Sequence, residues 1–272
     1  MEIPKKEEHV GLVYRLWEPP SSRAVLVLIH GLGAHSARWE ALAEFFQQHD
    51  ISSCAIDLEG FGLTKGPRGH VDSLSVYFED IRKLCALARQ QHPGKKVFCV
   101  GESMGALLVF LLALSDNGFC DGAILISPAF KTKLSLTVWD YIKVFWPLVF
   151  NPKKQFDFPL ISALCTRDVY YQNKIDTDTR EIHVATTRLL TGIVFAQIWS
   201  HVIKKDVDIP VLFLLAGEDR IVDSKDSKKI YESMNCRDKE LIEYKGMYHA
   251  LSIDLDKEKV YQDMLSWLEK RV

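Results

Sequence analysis

Residues 96–115 read KVFCVGESMGALLVFLLALS: a short apolar run, a serine between two glycines, and a long apolar run in direct succession. KVFCV (Lys96–Val100) has the continuity of a strand buried on both faces, and the run from Ala106 to Ser115 is apolar all round, as a buried helix is. Ser103 therefore stands on a tight strand-to-helix turn, with Gly101 and Gly105 two residues away on either side. A side chain at either glycine would collide with the strand or the helix, and Ala106 keeps the next position small. A serine hydroxyl so placed can attack a substrate, provided a base takes its proton.

The same alternation extends outward in both directions. Upstream, Val10–Trp17 (VGLVYRLW) alternates loosely and Ala24–His30 (AVLVLIH) is a continuous apolar run ending in glycine. These are two strands, with Pro19, Pro20, Ser21 and Ser22 marking the turn between them. Ala37–His49 carries apolar residues at helical spacing, followed by the strand-like CAID (Cys54–Asp57) and the amphipathic stretch Leu74–Gln91. Downstream, AILIS and PVLFLLAGED read as strands, then a helix near Ser224–Ser233, the strand KELIEY and a terminal helix from Asp256 to Lys270. The pattern predicts an α/β fold with a mostly parallel central sheet flanked by helices. Between Ala129 and Asp206 the alternation stops, and an aromatic-rich interval reads as helices and loops. The expected organisation is a core in two parts, residues 1–128 and 207–272, with a helical cap inserted at 129–206 as a roof over the site.

At 272 residues, 47% hydrophobic and 26% charged, the chain can bury a substantial core. A net charge of −2 and the lack of a basic stripe give no reason to expect a nucleic-acid partner. The opening MEIPKKEEHV is charged where a secretory signal would be apolar, so the expected location is cytoplasmic. No stretch has the roughly 20 apolar residues that span a bilayer. Cys54, Cys85, Cys99, Cys120, Cys165 and Cys236 are scattered without a CxxC pair and read as core thiols. None of the nine histidines forms an HExxH or other metal-ligand spacing, so no metal or cofactor is expected.

The strand–GESMG–helix arrangement is similar to the nucleophile elbow of α/β-hydrolases, in which an Asp or Glu and then a His follow the serine on loops after late strands. His249, in KGMYHAL, is the histidine with the required order and setting, and Asp219, in GEDRIVD, is the favoured carboxylate to orient it. Glu218 and Asp223 compete for the same role. His70, His183 and His201 read as surface or loop-anchoring residues. Two backbone amides could hold an oxyanion: that of Met104, after the nucleophile, and that of Leu32, in the HGLG segment that follows an early strand.

With these residues placed, the chain resembles the monoacylglycerol lipase and lysophospholipase branch of the α/β-hydrolase superfamily over nearly its whole length. The resemblance rests on HGLGAHSARW, DLEGFGLTKGPRGHVDSLSVYFEDI, GESMGA, GEDRIVD and YKGMYHAL, with LCTRD (Leu164–Asp168) matching the cap motif of the branch. GPRGHVDS is the most distinctive of these. Phe61 stands where the family usually has the histidine of a GHG turn, Glu59 replaces a common arginine, Ala34 replaces a residue that is often acidic, and Glu102 replaces a histidine. A glutamate beside the nucleophile is expected to point away from the site.

The resemblance implies a serine hydrolase of carboxylic esters, most of all monoacylglycerols, working through an acyl-enzyme on Ser103 without a cofactor. A lysophospholipase, a carboxylesterase for short-chain or aryl esters such as hydroxycinnamates, and a non-catalytic binding protein of the same fold are the alternatives. In the interval, Trp139, Ile142, Trp146 and Val149 share one helical face with lysines at both ends. That face is expected to line an acyl-chain channel, to touch a membrane surface peripherally, or to pack on the core, with Pro147 kinking or ending the helix.

Overall fold

The computed structural model describes residues 5–9, 11–116, 118–133, 137–158 and 161–272. β1 (Lys5–His9) and β2 (Leu12–Trp17) form a hairpin, and β3 (Ala24–Ile29), α1 (Glu40–Gln47), β4 (Ile51–Asp57), α2 (Leu74–Gln91), β5 (Lys96–Glu102), α3 (Met104–Ser115) and β6 (Gly122–Ile126) follow. Next come α4 (Val138–Phe145), β7 (Gln155–Asp157), α5 (Ser162–Cys165), α6 (Val169–Thr177), β8 (Val184–Thr186) and α7 (Thr187–Val202). β9 (Val211–Ala216), α8 (Ser224–Ser233), β10 (Lys239–Tyr244) and α9 (Lys257–Glu269) complete the chain.

The eight-stranded sheet has the order β1-β2-β4-β3-β5-β6-β9-β10. Its pairs from β4 to β10 are parallel, and β1 and β2 add an antiparallel edge. β1 was not anticipated, because KKEEH has none of the apolar alternation of a half-buried strand; charge of this kind is usual on an edge, where it discourages pairing with another chain. The central strands are buried on both faces. Val25, Val27 and Ile29 of β3 face a core closed by α2, α3 and α8, while Ala24, Leu26 and Leu28 face one closed by α1 and α9. α2 buries Tyr77, Ile81, Leu84, Cys85 and Ala88, one stripe at helical spacing.

Strand order reverses between β3 and β5: the chain leaves β3 toward β4 on one side and returns to β5 on the other. A crevice opens outside the carboxyl ends of parallel strands at such a point, which is where ligands bind in open α/β sheets. The HGLG loop follows β3 and Ser103 follows β5, so both sit at this crevice.

Among the described residues, the interval from 129 to 206 holds the helices α4 to α7 and, unforeseen in the sequence, the antiparallel ribbon β7–β8. A capping box of Thr137 and Asp140 starts α4, which gives way to a single 3-10 turn at Trp146–Leu148, where Pro147 lacks the N–H needed to continue. GPRGH explains how the ribbon is fastened. Arg68 Nη2 donates to the Arg180 carbonyl (3.1 Å), the Thr186 amide donates to the Gly69 carbonyl (2.8 Å), and His70 Nδ1 lies 3.0 Å from Thr186 Oγ1. Gly69 has φ +64°, and a side chain there would overlap the Val184 carbonyl.

Candidate active site

Ser103 has φ 57° and ψ −115°, a conformation that non-glycine residues rarely adopt and that packing must enforce. The enforcement is visible. The Ser103 amide donates to the Ile126 carbonyl (2.9 Å), and the Ser103 carbonyl accepts from Ala129 (3.1 Å). A Cβ on Gly101 would lie 2.5 Å from the Ala106 nitrogen, and one on Gly105 would strike the Ile29 carbonyl, so the bend needs both glycines.

The HGLG loop packs directly against this bend, where a Cβ on Gly31 would come within 3.1 Å of Ser103 Cβ. His30 fixes the loop: its Nδ1 donates to the Gly31 carbonyl (2.7 Å) and its Nε2 accepts from the Leu58 amide (3.1 Å). Burial lowers the His30 pKa to about 4, so the ring stays in the neutral tautomer those bonds require. Phe61, at the position of the family histidine, fills the core with its ring centroid 5.3 Å from that of His30. Among the described residues, the Leu32 and Met104 amides have no backbone acceptor, and both residues line the cavity above Ser103. Two free donors beside a hydroxyl can receive a developing oxyanion.

His249 Nδ1 lies 2.8 Å from Asp219 Oδ2, with both side chains buried. Asp219 Oδ1 accepts from the Ile221 and Val222 amides, each at 2.8 Å, which holds the carboxylate in place. The competing acids are elsewhere: Asp223 caps α8 through the Lys225 amide, and Glu218 is exposed. Burial pulls the His249 pKa down, but the Asp219 charge and hydrogen bond, helped by Glu102, outweigh it and leave the pKa above the ordinary value. His249 and Ser103 line one cavity. Among the described residues no hydrogen bond joins ring and hydroxyl; such contacts commonly tighten only around substrate.

Glu102 does not point away from the site. It is buried on the cavity wall, its Oε1 accepts the Ser252 amide at 3.2 Å, and burial raises its pKa. The cavity, about 360 Å³, has mostly apolar walls that include Val144, Phe145, Leu190, Ile193 and Val194. One wall is polar: Arg38 Nε lies 3.0 Å from Glu181 Oε1, a pair that fastens the interval to the loop after β3. Trp139, Ile142, Trp146 and Val149 are not brought to the cavity. They are 70, 44, 72 and 78% exposed, and Val144 and Phe145 on another side of α4 line it instead. The outward face continues across α7, where Phe145 meets Phe195 edge to face and Ile198, Trp199 and Val202 are exposed. His70 anchors the ribbon, His201 pairs with Asp226 at 2.7 Å, and His183 lies at the cavity rim.

The sequence profile of the serine aminopeptidase S33 family matches residues 20–256. The chain belongs to this family. It is similar to human monoglyceride lipase, 29% identical over 96% of this chain and 87% of that protein. The fold is that of solved structures as well. Paleococcus ferrophilus monoacylglycerol lipase superimposes with a TM-score of 0.87 at 24% identity, over 96% of this chain and 99% of the other. A soluble variant of Saccharomyces cerevisiae monoglyceride lipase, in complex with a substrate analogue, gives 0.89 at 23% identity over 100% and 97%.

One feature of this S33 hydrolase, the Arg38–Glu181 pair, is not marked in the sequence. Arg38 lies in the quoted HSARW stretch, but nothing in the local pattern marks its partner, Glu181, 143 residues away. Among the described residues, no helix is long and apolar enough to cross a membrane, and no group of three or more His, Cys, Asp or Glu side chains is arranged to hold a metal ion.

Proposed function

We propose that this protein is a serine carboxylic-ester hydrolase acting on monoacyl lipids, most of all monoacylglycerols. The observation that carries the reading is that a strained serine opens, beside a histidine–carboxylate pair, into a mostly apolar cavity with one polar wall. In this reading Ser103 Oγ attacks the ester carbonyl while His249 Nε2 takes its proton, and the Leu32 and Met104 amides hold the resulting oxyanion. Asp219 keeps the Nδ1–H tautomer and stabilises the imidazolium. The tetrahedral intermediate expels the alcohol, which takes the proton from His249 and leaves an acyl-enzyme on Ser103. Water, deprotonated by the same imidazole, attacks the acyl carbonyl and releases the fatty acid and the serine hydroxyl.

The apolar walls suit an acyl chain, and the Arg38–Glu181 pair offers donors and acceptors to a hydroxyl-bearing alcohol. A panel of monoacylglycerols, lysophospholipids and short or aryl esters, compared by kcat/KM, tests the assignment. An optimum below about four acyl carbons would reassign the protein to the carboxylesterases, and a preference for phosphate-bearing substrates to the lysophospholipases.

We further propose that the outward face of α4 and α7 docks on a lipid surface. Trp139, Trp146, Phe150, Phe195 and Trp199 are exposed together there, with exposed Lys143, Lys153 and Lys154 nearby. Aromatic side chains beside lysines suit the boundary between headgroups and acyl chains. The cavity lies on the inner side of the same helices, so substrate would arrive from the membrane itself.

A further inference from the structure

Asp254 lies five residues past His249 and is fully buried, yet it touches neither the Ser103 bend nor the cavity lining. Donors converge on its carboxylate. Oδ1 accepts the Arg167 amide at 2.7 Å and the Thr166 hydroxyl at 3.1 Å. Oδ2 accepts Arg167 Nε at 2.9 Å and the Tyr248 amide at 2.9 Å, with Arg167 Nη2 also 2.9 Å away. Burial raises the pKa of Asp254, but the Arg167 and Tyr248 bonds outweigh it and hold the group below the usual carboxylate range.

The Tyr248 amide immediately precedes His249. On the other side, the Ala250 amide donates to the Cys165 carbonyl at 2.8 Å. The backbone is therefore gripped on both sides of the histidine, and in both cases the grip leads to the LCTRD segment. Asp219 orients the ring through Nδ1, but it does not fix where the backbone presents that ring.

Building on the ester-hydrolase reading, we infer that Asp254, clamped by Arg167, is a positioning residue that sets the His249 backbone and ties the base of the 129–206 interval to the general base. Asparagine is a poor replacement, because its amide nitrogen must face either the Arg167 amide and the Thr166 hydroxyl or the Arg167 side chain and the Tyr248 amide, and the bonds of that set to an acceptor are lost. A displacement of the ring by about 1 Å can cost about 10²-fold in rate.

The test compares wild type, Asp254→Asn and Arg167→Met by the rate of fluorophosphonate labelling of Ser103, by kcat and KM on a monoacylglycerol, by thermal midpoint, and by the low-field proton resonance of the His249–Asp219 bond. Asp254→Asn is expected to slow labelling and kcat together by at least about tenfold, to leave KM within about twofold, and to shift or broaden that resonance while the protein remains folded. A folded Asp254→Asn that labels as fast as wild type overturns the inference and leaves the ester-hydrolase reading intact. Wild type that fails to label defeats that reading instead, and this inference with it. If Asp254→Asn does not fold, Arg167→Met decides, since its side chain is partly exposed and the Arg167 amide still reaches Asp254. Labelling slowed about threefold or more supports the clamp, and a smaller change overturns it.

Discussion

His249 Nδ1 and Asp219 Oδ2 are 2.8 Å apart, and the other oxygen of that carboxylate is held by two backbone amides. The acid cannot rotate away without giving up three hydrogen bonds. Asp219→Asn is therefore expected to keep the fold but present the wrong tautomer, lowering kcat by about 10³- to 10⁴-fold. Asp223→Ala removes the α8 cap instead and is expected to cost about 1 kcal/mol of stability with kcat nearly unchanged. Steady-state kinetics and thermal unfolding of the two variants check this, and the reverse pattern would move the acid to Asp223.

Ser103→Ala and His249→Ala are each expected to remove nearly all turnover, by about 10³-fold or more, without loss of fold. Both should also abolish fluorophosphonate labelling. Either variant keeping a tenth of wild-type kcat, by roughly the same standard, refutes the proposed roles.

The pH dependence has a definite sign. In the proposed role His249 serves as a base only when neutral, and its pKa stands above the ordinary value, so kcat/KM is expected to fall as pH drops through that raised value. The acidic limb then lies above the roughly 6.5 of a free imidazole. The Glu102 charge contributes to the elevation, so Glu102→Gln is expected to move the limb to lower pH. Profiles of kcat/KM from about pH 5 to 9 decide it, and a flat wild-type profile or an upward shift in the variant goes against the base assignment.

Removing one member of the Arg38–Glu181 pair would orphan a buried charge, so the informative change is double, Arg38→Met with Glu181→Leu. If the pair receives the alcohol, KM for a monoacylglycerol is expected to rise about tenfold while KM for the methyl ester of the same fatty acid stays within about twofold. Equal changes for both substrates would show that the polar wall is structural only.

For the outward aromatic face, Trp139→Ala, Trp146→Ala and Trp199→Ala combined are expected to lower binding to phospholipid vesicles by at least about tenfold in a flotation assay. Turnover of a short, soluble ester is expected to stay unchanged. Vesicle binding equal to wild type removes this surface from consideration.

Much of this was legible in the chain because the decisive demands are local. Ser103 needs glycine at 101 and 105 for steric reasons, and the strands on either side of the site are unbroken apolar runs. Other features were illegible for physical reasons. The 3.6-residue period of α4 marks a stripe but not its direction, so Trp139, Ile142, Trp146 and Val149 read equally as lining a channel, touching a membrane or packing on the core, and only the structure shows that they face outward. β1 has no apolar signal, since an edge strand needs none. Asp254 and Arg167 are 87 residues apart, and no local pattern announces a carboxylate whose donors come from so far along the chain.

The Ile182 amide donates to the Gly33 carbonyl and the Thr186 amide to the Gly69 carbonyl, at 3.0 and 2.8 Å. This end of the 129–206 interval is thus moored to the very loop that carries Leu32, and lifting it would disturb the amide proposed to hold the oxyanion. The part free to vary is the outer one, α4 and its 3-10 turn. Exchanging residues 137–152 for those of a relative is expected to reshape the cavity wall at Val144 and Phe145 while Ser103, His249 and Asp219 stay where they are.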